Sequence, residues 1–252
     1  MKAADFTKKK IIRPDGIYHI ANQNQYIGAS KERYDYYYNY AGWEGIRFME
    51  LYKKYPKQRL FFDMFINTAY TTAKAASKYG NWTSSHCSSY LWEKYQIPKN
   101  YIDTRYCTDA GVFLLRSYNE YQIPEALFVG KKFGDYLVDL AEQKHKIKTE
   151  NGFFYYDYYH PDFPNKVTHS SLNHILSEMN YLLELYLCTH DGRYLSTAEG
   201  MVLAIEDTEN RWIRDDISNY RFYHDLWYGA VPRSDGTLNF EKYHDYTKDL
   251  TY

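Results

Sequence analysis

Cysteine is scarce: three in 252 residues, at Cys87, Cys107 and Cys188. Far apart and odd in number, they support neither a disulfide framework nor a clustered zinc site, so buried free thiols are expected. Net charge is nearly absent too, with 31 Lys plus Arg against 32 Asp plus Glu. No basic field therefore advertises nucleic acid or an anionic membrane, and the early KKK at 8–10 is too short to change that. No apolar run approaches the roughly 18–20 residues that a membrane span requires. The first residues, MKAADFTKKKIIRPDG, lack the apolar middle of a signal peptide, and a soluble, cytoplasmic chain is the expectation. Also missing are a phosphate-binding glycine loop, a dinucleotide fingerprint, HExxH and a nucleophile elbow. What remains is chemistry without cofactor or metal, or no chemistry.

Aromatic residues, by contrast, are abundant: 31 Tyr, 13 Phe and 5 Trp make up 19% of the chain. Tyrosine joins an apolar ring to a polar tip, which suits sugar faces as well as wet cores. The aromatic run at 153–159 and Trp43, Trp82, Trp92, Trp212 and Trp227 are candidate stacking platforms, with burial in a core as the default.

The strongest internal signal is a loose repeat. GIRFMELYKKYPKQRLFFDMF, GVFLLRSYNEYQIPEALFVGKKF and MNYLLELYLCTHDGRYLSTAEGMV each read as an amphipathic helix ending in Tyr, a short polar turn and a second helix. The anchors Tyr52, Tyr118 and Tyr186 are 66 and 68 residues apart. Each helical hairpin needs a neighbour to bury its apolar stripe. The expected fold is all-α: an α/α toroid or partial toroid of stacked helical hairpins, with an open helical solenoid as the alternative. The segment 151–164, NGFFYYDYYHPDFP, begins with an Asn-Gly turn signal and predicts a short β-hairpin or an extended aromatic loop. One helical domain over 31–252, preceded by an extension at 1–30, is the expected organisation.

Within HSSLNHILSEMNYLLELY, residues 169–186, helical spacing puts Leu172, Ile175, Leu176, Met179, Leu182, Leu183 and Tyr186 on one half. Asn173, His174, Ser177, Glu178, Tyr181 and Glu184 fall on the other. Residues 169–189 contain neither Lys nor Arg, so the polar half is read as lining a semi-buried cavity rather than facing water. There His174 and Glu178, four apart, are neighbours, and the glutamate is expected to orient the imidazole. In YIDTRYCTDAG, residues 101–111, Thr108 or Asp109 is a natural N-cap. Arg105 is placed in a loop beside the cavity, suited to clamping a carboxylate or else paired to Asp103 or Asp109. The tripeptide YHD, at 223–225 and 243–245, supplies imidazole, carboxylate and phenol, the types used for proton transfer.

The stretch YYHPDFPNKVTHSSLNHILSEMNYLLELYLCTHDGRYL resembles the C-terminal helical domain of D-glucuronyl C5-epimerases. There an aromatic, proline-bearing segment leads through a Ser-Leu-Asn stretch into a helix ending in Leu-Tyr, and a later segment carries Tyr-His pairs. The likeness covers roughly 100–252 and is most specific at 160–195. Its motifs are similar to other sugar-active α/α toroids as well, including unsaturated-uronyl hydrolases and polysaccharide lyases. It implies an α/α barrel acting on a uronic acid within a polysaccharide. Asn173 would match the Asn of the Ser-Leu-Asn stretch, and Tyr243 with His244 or Tyr246 the Tyr-His region. The chain lacks room for the large N-terminal β-rich region of such enzymes, so a companion domain or homo-oligomer is expected.

For a uronate C5-epimerase, proton abstraction and return at C5 require a carboxylate clamp, a base and an acid. Arg105 is the candidate clamp. His174 supported by Glu178, and Tyr243 or Tyr246, are the candidate catalytic groups, with Asp109, Asn173, Tyr181 and His244 binding substrate. A polysaccharide lyase would share the first half of that reaction. A glycoside hydrolase would need two carboxylates, from Asp109, Glu178, Asp215 or Asp225. A non-catalytic helical repeat binding glycan or protein is the remaining class.

Overall fold

The computed structural model describes residues 10–12, 18–21, 36–39, 42–84, 88–143, 145–213, 227 and 229–241. Among them are seven α-helices and several small antiparallel sheets. The helices are α1 (Gly42–Lys54), α2 (Arg59–Ala75), α3 (Ser89–Tyr95), α4 (Thr104–Tyr121), α5 (Pro124–Glu142), α6 (Leu172–Thr189) and α7 (Gly192–Thr208). Six of them form the three repeated hairpins, α1/α2, α4/α5 and α6/α7, with Tyr52, Tyr118 and Tyr186 each in the last turn of the first helix.

The turns are short because the chain stops each helix chemically. Gln122 ends α4 in the left-handed conformation, and Pro124 opens α5, where its missing N–H costs nothing. His190 ends α6 the same way, and the Asp191 side chain caps α7 by accepting from Arg193 N.

α4 packs on both α1 and α6, while α5 packs on both α2 and α7, so the hairpins stack in two layers. Phe65, Phe113, Phe133, Leu137, Tyr181, Leu182, Leu185 and Met201 are buried in the core. Close approach of α4 to its neighbours requires glycine. A Cβ on Gly111 would lie 2.4 Å from the Tyr181 ring, and one on Gly42 would lie 2.3 Å from the Asp109 carbonyl oxygen.

Strands β1 (Lys10–Ile12), β2 (Tyr18–Ala21) and β3 (Tyr36–Asn39) make one antiparallel sheet. Its β2–β3 pairing joins residues on both sides of position 30, where the helical domain was expected to begin. β4 (Ile102–Asp103) pairs with β7 (Tyr158–Tyr159), and β5 (Ile147–Lys148) with β6 (Phe153–Phe154). The Asn151-Gly152 turn between β5 and β6 is fastened by Asp207, which accepts from Thr149 Oγ1 at 2.5 Å and from Asn151 N and Nδ2 at 2.7 Å. β8 (Ser170–Ser171), β9 (Gly229–Pro232) and β10 (Leu238–Glu241) form the last sheet, tied to α3 by a Lys94–Glu241 ion pair.

Two local expectations are corrected. The N-cap of α4 is Asp103, whose carboxylate accepts from Tyr106 N at 3.0 Å, so Arg105 lies in the first helical turn and not in a loop. The stripe expected to bury α6 is split: Ile175 and Leu182 are buried, whereas Leu176 and Leu183 are exposed. Their places inside are taken by His174, Glu178 and Tyr181. Trp82 and Trp212 are core residues, each donating its indole N–H at 3.0 Å, to the Thr72 carbonyl and to Thr208 Oγ1. Cys107 is a buried free thiol and Cys188 a half-buried one; Cys87 lies outside the described residues.

Candidate functional site

The aromatic segment 153–171 lies across the N-terminal ends of α4 and α6. It is fixed by the β4–β7 pairing and by two backbone bonds, Thr104 N to the Asp157 carbonyl at 3.0 Å and Asp157 N to the His169 carbonyl at 2.9 Å. This brings the Asp157 carboxylate, fully buried, to the first residues of α6. Ser171, at the N-cap, does not cap its own helix. Its backbone N–H donates to Asp157 Oδ1 at 2.8 Å and its hydroxyl to Oδ2 at 2.5 Å. An anion at a helix N-terminus meets both free N–H groups and the positive end of the macrodipole.

Two histidines share that carboxylate. His169 Nε2 lies 3.2 Å and His174 Nε2 3.6 Å from Asp157 Oδ2. The other ring nitrogens turn outward: His169 Nδ1 meets the Tyr95 hydroxyl at 2.7 Å, and His174 Nδ1 meets Thr104 Oγ1 at 2.8 Å. Asp103 Oδ1 is 4.0 Å from His174 Nε2, and the Tyr158 ring stands edge-on to the His174 imidazole.

Burial sets the protonation of this cluster. It pushes Asp103 up to about 8, against the Tyr106 N–H bond that favours the anion, so the protonated form of Asp103 is the favoured one at neutral pH. It pushes His174 down to about 4 despite the pull of Asp157, leaving a neutral imidazole. Burial also raises Asp157, but the two histidines and Ser171 outweigh it and hold this carboxylate below its ordinary range. Glu178 is driven well above its ordinary value by burial, against the pull of the neighbouring Thr104 side chain, with which neither carboxyl oxygen makes a well-formed hydrogen bond.

Beside the cluster runs an open cleft of about 380 Å³ between α1, α4 and α6. From α4 it takes Arg105, Asp109, Val112 and Arg116; from α6, Asn173, Leu176, Ser177 and Asn180; and from α1, Ile46. A hydroxyl pair, Thr108 Oγ1 to Ser177 Oγ at 2.7 Å, bridges α4 and α6 at its edge. Arg116 is held by Glu184 at 2.9 Å, and Arg105 Nε lies 3.5 Å from Asp109 Oδ1. Arg105 follows Thr104, the partner of His174, so one end of the cleft adjoins the buried cluster.

The structure thus brings three of the residues picked out by sequence, Arg105, Asp109 and Asn173, to the cleft; His174 is buried and joins it only through its neighbours Asn173 and Thr104. It does not bring Glu178 or Tyr181 there. Glu178 makes no hydrogen bond to His174, because Thr104 takes the imidazole Nδ1. Tyr181 is wholly buried, and its hydroxyl donates to the Gly130 carbonyl at 2.5 Å, which leaves nothing for a substrate. Tyr243, His244 and Tyr246, together with Asp215 and Asp225, lie outside the described residues. Sequence reasoning missed Asp157, His169, Thr104 and the proton on Asp103. Asp157 carried a signal: a lone carboxylate among Tyr155, Tyr156, Tyr158 and Tyr159 must find partners if that segment is buried.

Among the described residues no group of His, Cys, Asp and Glu side chains could hold a metal ion, and no helix is long and apolar enough to cross a membrane. No family model matches the chain, and no curated protein matches it.

Proposed function

We propose that the chain is a carbohydrate-active enzyme, a uronate C5-epimerase acting on a polysaccharide from a partial α/α toroid of three helical hairpins. The observation that carries this reading is the approach of Asp103 Oδ1 to 4.0 Å from His174 Nε2, in a buried cluster whose Thr104 is followed in α4 by the cleft residue Arg105. At neutral pH a carboxyl that keeps its proton stands beside an imidazole that has none. That is a donor and an acceptor, next to a guanidinium suited to a sugar carboxylate. The likeness of 160–195 to the epimerase helical domain supports the same substrate class.

In this reading the uronate carboxylate draws Arg105 into a charge-assisted bond, and the Asn173 amide and Asp109 carboxylate take sugar hydroxyls. His174 then accepts the C5 proton. The electron pair left on C5 spreads into the carboxylate as an enediolate, which the Arg105 cation and the Asp103 hydroxyl stabilise. Return of a proton to the opposite face is assigned to Tyr243 or Tyr246, and a share in substrate binding to His244. A lyase would share every step up to the enediolate and then expel the 4-linked sugar. A glycosidase would need a second carboxylate across the cleft, and Asp109 is the one acidic residue among the described residues that line it.

The test is incubation with uronate-containing polysaccharides in deuterated water. Deuterium at C5 without chain cleavage is the expected result, abolished by His174→Ala. Cleavage with a new ultraviolet absorbance assigns the chain to the lyases instead, and absence of both exchange and cleavage overturns the enzymatic reading.

A further inference from the structure

We propose that Thr104 is a positioning residue that fixes the tautomer of His174, placing the ring proton on Nδ1 and leaving Nε2 as the nitrogen that accepts a proton. The inference rests on the reading of His174 as the base, but its structural half stands on hydrogen-bond accounting alone. A threonine hydroxyl has one proton to give and lone pairs to receive. Thr104 Oγ1 lies 2.8 Å from His174 Nδ1 and 3.2 Å from the Asp157 carbonyl oxygen, with the Glu178 carboxyl as a further oxygen neighbour that competes for its proton and not for the imidazole's. The carbonyl can only accept, so making both bonds requires the hydroxyl to donate to Asp157 and to receive the Nδ1–H of His174. The opposite assignment, with Thr104 donating to Nδ1, gives up one of the two.

The carboxylate side of the ring leads to the same answer independently. Asp157 Oδ2 already faces the Ser171 hydroxyl at 2.5 Å and His169 Nε2 at 3.2 Å, which fill its two lone pairs. His174 Nε2, at 3.6 Å, stands beyond hydrogen-bond distance. A proton on Nε2 would have no acceptor there, whereas a lone pair needs none. His169 is set the other way by its carboxylate bond: its Nε2–H donates to Asp157 Oδ2, 3.2 Å away, while its Nδ1 meets the Tyr95 hydroxyl at 2.7 Å. The two histidines on one carboxylate therefore hold opposite tautomers. When His174 Nε2 takes a proton, the imidazolium has Asp157 close by as its counter-ion, and the Nδ1–H remains anchored on Thr104. The mechanism then needs no rearrangement of the ring.

Two-bond ¹H–¹⁵N spectra of the full chain at neutral pH separate the tautomers without reference to activity. The expected wild-type result is the Nδ1–H form at His174 and the Nε2–H form at His169. Thr104→Val keeps the shape of the side chain and removes both bonds. It should shift His174 towards the Nε2–H form or a mixture, and lower kcat for C5 exchange on the order of 10²-fold with KM unchanged. Thr104→Ser should restore both. A wild-type His174 in the Nε2–H form overturns the proposal outright, as does a folded Thr104→Val variant that keeps the Nδ1–H form. Should the valine variant fail to fold, the wild-type and serine spectra still decide. If the tautomers are as stated but no substrate exchanges deuterium, the epimerase reading fails and the positioning of His174 by Thr104 survives.

Discussion

His174 and Glu178 stand one turn apart on α6, both buried, and make no hydrogen bond to each other. The imidazole is committed to Thr104 on one nitrogen and faces Asp157 and Asp103 with the other. Glu178 is left among Thr104, Asp157 and Asp103, where burial keeps its proton on and the Thr104 side chain stands close to it without a well-formed hydrogen bond. A buried polar group without a partner costs about 1–3 kcal/mol.

Glu178→Met, which fills a similar volume without a polar atom, should therefore stabilise the protein by about 1–3 kcal/mol. The sign with pH follows from linkage. The folded-state pKa of Glu178 lies above its unfolded value, so the unfolded chain releases the proton first and stability falls as pH rises. The gain from methionine should accordingly be larger at pH 8 than at pH 5. Urea unfolding midpoints at the two values check this, and a destabilised variant would show that the contact of Glu178 with Thr104 outweighs the cost of burying it.

Asp103 obeys the same sign. Its carboxyl titrates at about 8 in the folded chain against 3.8 in the reference state, so its contribution is intact at low pH and is lost as pH climbs towards about 8. His174, pushed down to about 4 from 6.5, works the other way: falling pH protonates the unfolded chain first and withdraws stability across that window. Between about 6.5 and 8 only the Asp103 slope remains of the two. Asp103→Asn preserves an N-cap oxygen for α4 and removes the titration. Its urea midpoint should change less than that of the wild type between pH 6.5 and 8.5; an equal change in both would assign the slope to other groups.

Arg105 is half-buried and held by one i,i+4 ion pair, an arrangement worth about 0.3–0.5 kcal/mol to a helix. Arg105→Ala should leave the melting temperature nearly unchanged. A charge-assisted bond to a uronate is worth about 1.5–3 kcal/mol, so KM for a uronate polysaccharide should rise about 10–100-fold. Steady-state kinetics and thermal unfolding separate the two effects, and an unaltered KM would remove Arg105 from the binding site.

Gly111→Ala sets the packing of α4 on α6 against one methyl group. The added Cβ would stand 2.4 Å from the Tyr181 ring, whose position is fixed at its far end by the Gly130 carbonyl. Overpacking of this kind costs about 1–3 kcal/mol. A midpoint shift within error in chemical denaturation would mean that Tyr181 can retreat, contrary to its hydrogen bond.

Much of the fold was legible in sequence because its signals are local. The repeat anchored by Tyr52, Tyr118 and Tyr186 recorded three hairpins, Pro124 and HDGR recorded the breaks, and Asn151-Gly152 recorded a turn whose partner strand, β5, carries no comparable mark. The stripe of α5, Leu127, Gly130, Phe133, Leu137 and Leu140, is buried except for the half-buried Leu127, since that helix is covered by apolar neighbours. Reading α6 by the same rule failed. Period alone ranks faces by apolar content, and it cannot register that His174, Glu178 and Tyr181 are received inside by Thr104, Asp157 and Gly130, residues brought there from other elements.

By itself the sequence determined a near-neutral, aromatic-rich, mostly helical chain with three hairpins, and it pointed at Arg105, Asn173 and His174, since composition and spacing are properties of neighbours along the chain. Only the tertiary structure decided that Asp157 joins two histidines, that Thr104 rather than Glu178 holds His174, and that Asp103 keeps its proton. Each of those depends on burial and on groups dozens of residues apart meeting within a few ångströms, where removal from water, not sequence order, sets which atoms carry charge.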